Sequence, residues 1–105
     1  MHDITPNDDV GEIMKQDCYL FFYFTATWCG PCKNISSFID ELSNNNLTNN
    51  ISIKFYKIDI DENELLCQTW GITKVPTFLL LKNTDLLDMY SGTNKQMIQN
   101  MFGKI

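Results

Sequence analysis

Cys29 and Cys32 lie two residues apart in the stretch YFTATWCGPCKN, residues 23–34, with Trp28 before them and Gly30 and Pro31 between them. Two cysteines at this spacing support three chemistries. They can cycle between dithiol and disulfide, supply half of a tetrahedral zinc site, or sit inert as small hydrophobes. Zinc needs a second CxxC pair or histidines at ligand spacing. The only histidine is His2, and the other cysteines, Cys18 and Cys67, stand alone. No metal is therefore expected.

The flanking residues decide between exchange and inertness. CYLFFYFTA, residues 18–26, is β-prone and apolar on both faces, as a central strand covered on both sides would be. After Cys32, residues Ile35, Phe38, Ile39 and Leu42 fall on one face of a helix. That helix should begin in the CGPC turn, where Pro31 is tolerated because the first turn needs no N–H from it. A free thiol with a pKa of about 8.5 is mostly protonated at neutral pH. A helix N-terminus favours the thiolate through its unpaired N–H groups and partial positive charge. Cys29 sits at that point, and Cys32 lies one turn further in, within disulfide reach. Gly30 lets the backbone turn tightly and Pro31 stiffens it. Cys29 can then attack a substrate disulfide, and Cys32 can resolve the mixed disulfide, leaving Cys29 joined to Cys32. An external reductant must restore the pair, and no bound cofactor is needed.

The elements that must position this pair read as follows. Asp3 to Thr5 is a very short candidate strand. Thr5-Pro6 offers a start signal for a helix over Pro6 to Gln16, with Val10, Ile13 and Met14 at helical spacing. NNNLTNN, residues 44–50, reads as a loop, five of its seven residues being Asn. ISIKFYKIDID, 51–61, alternates as a strand. Asp61 with Glu64 suggests a capping box for a short helix ending at Trp70. Residues 78–82 and 86–90 pair as a hairpin through the turn from Lys82 to Asp85. Thr93 with Gln96 caps a last helix whose apolar face is Met97, Ile98, Met101 and Phe102. This order predicts a mixed sheet of four or five strands with helices on both faces.

The chain of 105 residues fits one domain, residues 1–105. Thirteen acidic residues against eight basic ones argue against sequence-independent nucleic-acid binding. The first residues, MHDITPNDDV, lack a basic and an apolar signal region, and no apolar run is long enough to span a bilayer. The expectation is a cytoplasmic protein without membrane contact.

With these residues in view, the chain resembles a thioredoxin. WCGPCK, 28–33, matches the family signature. Phe24, Thr25 and Ala26 enter it as the family's central strand does. Lys57 with Ile58-Asp59 matches the strand whose lysine lies under the active site. Gly71-Ile72 leading to Val75-Pro76-Thr77 matches the segment with a cis-proline, and Gly92 matches a glycine of the substrate groove. The resemblance implies a thioredoxin fold and a dithiol–disulfide reductase acting on disulfide-containing proteins. It also implies a monomer recharged by a thioredoxin reductase or an equivalent. Cys29 would be the nucleophile and Cys32 the resolving cysteine. Trp28, Gly30, Pro31, Val75, Pro76 and Gly92 would form the docking surface, which Trp70 extends unless it belongs to the core.

Tyr23 departs from the pattern. Thioredoxins usually hold a buried aspartate six residues before the first cysteine, thought to assist proton transfer at the resolving cysteine. A phenol with a pKa of about 10 is no base at neutral pH. It can donate a hydrogen bond, hold a water near Cys32, or simply fill the core. Lys57 then lacks its usual partner, and leans outward, pairs with another acid, or bonds the Tyr23 hydroxyl. Cys18 and Cys67 read as buried thiols. Two rival functions stay open: an oxidant or isomerase on the same fold, and an interaction module whose partner binding does not need the thiols.

Overall fold

The computed structural model describes residues 1–46 and 52–105, Asn46 by its backbone alone. Along the chain it comprises β1 His2–Ile4, α1 Val10–Met14, β2 Tyr19–Thr25, α2 Gly30–Asn46, β3 Ile53–Asp59, α3 Glu64–Trp70, β4 Thr77–Lys82, β5 Asp85–Ser91 and α4 Lys95–Met101, closed by a 3-10 turn over Phe102–Lys104. The five strands form one mixed sheet in the order β1-β3-β2-β4-β5. β2 runs parallel to β3 and antiparallel to β4, and β1 is parallel to β3. The short first strand therefore does join the sheet, which has five strands among the described residues.

The apolar run of β2 follows from its central place. Leu20, Phe22 and Phe24 face a core built with Val10, Ile13 and Met14 of α1 and Leu66, Cys67 and Trp70 of α3. Phe21 and Tyr23 face the opposite layer, with Ile35 and Ile39 of α2 and Ile98 and Met101 of α4. Each side chain alternates faces, and each face is covered, so no polar position survives between Leu20 and Phe24.

Several local expectations are corrected. The first helix is limited to Val10–Met14. The Asp8 carboxylate accepts the Thr5 amide at 2.7 Å and the Asp8 amide donates to the Thr5 carbonyl at 3.0 Å, closing a turn over the supposed start. Asp9, in extended conformation, then caps the helix by accepting the Glu12 amide. Residues 44–46 are helical, continuing α2, and 47–50 of the expected loop lie outside the described residues. The strand read over 51–61 is Ile53–Asp59, residue 51 being outside the description and 60–61 forming a turn.

The expected caps move as well. The N-cap of α3 is Asn63, which makes no side-chain cap bond. Its amide group donates to the carbonyls of Ile4 and Asp59 instead, stitching β1 to the end of β3. Asn94 rather than Thr93 caps α4, accepting the Met97 amide at 3.1 Å. Met97 is 47% exposed and lies off the apolar face, which Ile98 and Met101 carry. The hairpin turns through Asn83 and Thr84, both at positive φ (53° and 67°), as a two-residue turn matching strand twist requires.

Candidate active site

The carboxyl end of β2 delivers the chain to the cysteine pair. The Cys29 amide donates to the Ala26 carbonyl at 3.2 Å, and the Cys29 carbonyl accepts the Lys33 amide at 3.3 Å. Cys29 thus stands as the first half-turn of α2, which begins at Gly30. Cys29 and Cys32 are joined as a disulfide with Cα atoms 5.3 Å apart. The Cys32 amide points at the Cys29 sulfur, N to Sγ 3.1 Å. An N–H aimed at Sγ, at the positive end of a 17-residue helix, favours the thiolate that reduction creates. Cys32 is the deeper of the two, 1% exposed against 4% for Cys29. Ala26 packs with the pair, and Ile60 and Val75 press against it.

Three segments converge on this point. Trp28 stands 65% exposed beside the disulfide, its indole N–H donating to Asp61 Oδ2 at 2.8 Å. Asp61 was expected to cap α3 and instead fixes the tryptophan. Two acids at the end of the lysine-bearing strand, Asp59 and Asp61, are the signal that could have revealed it. The Val75-Pro76 bond is cis, as the resemblance implied. The Pro76 carbonyl accepts the Gly92 amide at 3.1 Å, and the Thr77 hydroxyl contacts the Lys74 carbonyl and the Ser91 hydroxyl, each at 2.7 Å. The loop is held from both sides, yet the Val75 amide and carbonyl make no hydrogen bond among the described residues. Gly92 has φ 143°, and a Cβ there would lie 2.6 Å from the Tyr90 hydroxyl, so both backbone and space demand glycine.

Behind the disulfide, Tyr23 is buried at 1% exposure and stacked on Phe78, ring centroids 5.2 Å apart. Its hydroxyl donates to the Cys32 carbonyl at 3.0 Å. Burial pushes the phenol above its ordinary pKa of 10.0, so Tyr23 is a fixed donor and not a base. A cavity of about 680 Å³ opens beside it, lined by Cys32, Ser36, Lys57 and Asp59 among others. Lys57 is half-buried at its edge and makes no ion pair among the described residues. The Tyr23 hydroxyl gives its one hydrogen to the Cys32 carbonyl, and Lys57 makes no hydrogen bond to it among the described residues.

Trp70 packs half-buried against the core layer of α1 and α3. Its indole N–H is buried and has no partner among the described residues. Cys18 is buried and Cys67 half-buried, both as free thiols. Burial first, and then the carboxylates of Asp59, Asp61 and Glu64, push the Cys67 thiol up and suppress its reactivity. Among the described residues no helix is long and apolar enough to cross a membrane.

Comparison with known proteins points one way. The thioredoxin family model matches residues 4–103. "Thioredoxin H-type 2" of Nicotiana tabacum is 38% identical over 81 residues, a match covering 77% of this chain. The chain spans only 65% of the length of that relative. "Thioredoxin H1" of Arabidopsis thaliana is 38% identical over 100 residues, covering 95% of this chain and 84% of the relative. The solved thioredoxin of Plasmodium falciparum superposes with a TM-score of 0.88 at 30% identity, covering 99% of this chain and 98% of that one.

Proposed function

The chain belongs to the thioredoxin family, and from that premise we propose that it is a dithiol–disulfide oxidoreductase that reduces disulfide bonds in proteins. The observation that carries this reading is the Cys32 amide on the Cys29 sulfur at the N-terminus of α2. Once reduced, Cys29 is the thiolate nucleophile. It attacks one sulfur of the substrate disulfide, forming a mixed disulfide and expelling the other sulfur as a thiolate, which takes up a proton. Cys32 then loses its proton and attacks Cys29, releasing the second substrate thiol. Two electrons pass to the substrate and the Cys29–Cys32 disulfide remains. A dithiol reductant such as a thioredoxin reductase returns them, and no bound cofactor takes part.

The docking surface consists of Trp28, Gly30, Pro31, Val75, Pro76 and Gly92. An extended substrate segment pairs with the free amide and carbonyl of Val75, as in addition of a strand to a sheet edge, which brings its sulfur over Cys29. Tyr23 and Lys57 support the pair from behind. Trp70 contributes through the core. The protein acts as a monomer in the cytoplasm, a reducing compartment in which a dithiol of this kind stays poised. The oxidant or isomerase and the thiol-independent binding module are not favoured by the intact pair or by the relatives.

The test is catalysed reduction of a protein disulfide with dithiothreitol as electron source. Rapid turnover by the wild type and none by Cys29→Ser supports the proposal. Equal turnover by both overturns it.

A further inference from the structure

Beside the redox pair, between the turn before α1 and the first residues of α3, runs a second groove of about 600 Å³. Thr5 and Glu62 line both this groove and the cavity behind Cys32. Val10 and Met14 of α1 and Leu65 and Leu66 of α3 give it apolar walls. Leu65 is 78% exposed, the most exposed of the large apolar side chains among the described residues. Leu65 points away from the core that Leu66, Cys67 and Trp70 of the same helix pack against.

The charges around the groove all have one sign. Asp8, Asp9, Glu62 and Glu64 line it, and no lysine, arginine or histidine does. One oxygen of Asp8 contacts the His2 ring at 3.1 Å, and one oxygen of Asp9 is taken by the α1 cap. Glu62 and Glu64 form no ion pair among the described residues. An acidic rim around exposed apolar surface attracts a segment of opposite charge and discriminates against an acidic one.

We propose that this groove is a second docking site for the protein substrates, and that it takes a segment in which an apolar side chain is flanked by lysine or arginine. The assignment rests on the disulfide reductase reading and names the class of substrate that reading leaves open. The apolar side chain lies against Val10, Met14 and Leu65, and its cationic neighbours face Glu62 and Glu64.

Binding and turnover are tested separately. The binding probe is a cysteine-free peptide, Gly-Lys-Leu-Arg-Leu-Lys-Gly, with a control carrying glutamate at each basic position, both followed through backbone amide resonances. The cationic peptide is expected to shift the signals of Val10, Met14 and Leu65, and to bind about tenfold more weakly to Leu65→Ser/Glu64→Gln. Both replaced side chains are exposed, so the variant folds. Absence of binding, equal binding of the glutamate control, or shifts confined to Trp28 and Val75 overturns the proposal. The same cationic sequence is then placed beside a disulfide in a substrate peptide. Its KM should lie about five- to tenfold below that of the glutamate version, with kcat unchanged, and the double variant should erase the difference. Binding without a KM difference overturns the assignment to substrate. If no disulfide is reduced at all, the redox reading falls, and the cysteine-free peptide still decides whether the groove binds.

Discussion

The Tyr23 hydroxyl donates to the backbone carbonyl of Cys32 at 3.0 Å, gripping the resolving cysteine by its peptide and not by its sulfur. The bond spans nine residues of sequence and joins the central strand to the first turn of α2, on which the redox geometry depends. Tyr23→Phe removes only the hydroxyl. It leaves the stack on Phe78 intact and should cost about 1 kcal/mol in urea unfolding of the oxidised protein. An unchanged midpoint would show that the bond contributes nothing.

Tyr23→Asp exchanges the donor for a carboxylate beside Cys32. A carboxylate can take the Cys32 proton, which a phenol of raised pKa does not, so decay of the mixed disulfide should speed up in rapid-mixing experiments. Loss of a buried ring should destabilise the fold by about 3 kcal/mol. Resolution that stays equal or slows would remove proton transfer as the limiting step.

Alkaline unfolding should also report Tyr23. Its pKa in the folded protein lies above the ordinary 10.0 that the unfolded chain shows, so the folded state holds the phenolic proton more tightly. The resulting stability is fully present below pH 10 and is lost as pH rises through the folded value. The Cys67 thiol is raised from 9.0 and acts in the same direction, so the measurement belongs in a Cys67→Ser background. Oxidised protein in that background should lose stability as pH rises above 10, and adding Tyr23→Phe should flatten the decline. Parallel curves would assign the loss elsewhere.

How much of this was legible in the sequence depends on how local the determining contact is. The strand through Phe24 and the helix face of Ile35, Phe38, Ile39 and Leu42 were readable, because burial on fixed faces writes a period into the chain. The reading of Cys29 as nucleophile and Cys32 as resolving cysteine rests on one turn of helix. Caps failed where a side chain had a better distant partner: Asp61 serves Trp28, and Asn63 serves Ile4 and Asp59. Thr5-Pro6 failed because Asp8 closes its own turn on Thr5. The partner of Tyr23 was unreadable, since a phenol six residues before a cysteine says nothing of which atom its hydroxyl reaches. That depends on how α2 packs over the face of β2 that carries Tyr23.

Gly92→Ala tests the loop that shapes the docking surface. The added methyl meets the Tyr90 hydroxyl at 2.6 Å and sits at a φ that L residues rarely adopt. Stability should fall by about 2 kcal/mol. Because the Gly92 amide holds the Pro76 carbonyl, KM for a protein disulfide should rise more than KM for a small aromatic disulfide. Equal effects on both would detach Gly92 from substrate docking.

Cys32→Ser should trap the covalent complex, giving a species on non-reducing gels that dithiothreitol dissolves. Cys67→Ser should leave turnover unchanged, and Cys67 in the oxidised wild type should alkylate more slowly at pH 8 than a cysteine in a short peptide. Rapid alkylation would mark it as a thiol exposed by motion.

The position of β2 between β3 and β4 bears on how the molecule breathes. Its amides are paired on both flanks, and the Leu20–Phe24 side chains are almost entirely shielded from water, so its hydrogens should exchange with solvent only when the whole chain opens. The outer strands β1 and β5 each have a neighbour on one side only and can fray far more often. The cysteines hang from the end of the last part to let go. Partial opening at the rim therefore leaves the sulfur atoms registered against the rest of the site, and the protein can flex around a substrate without losing aim.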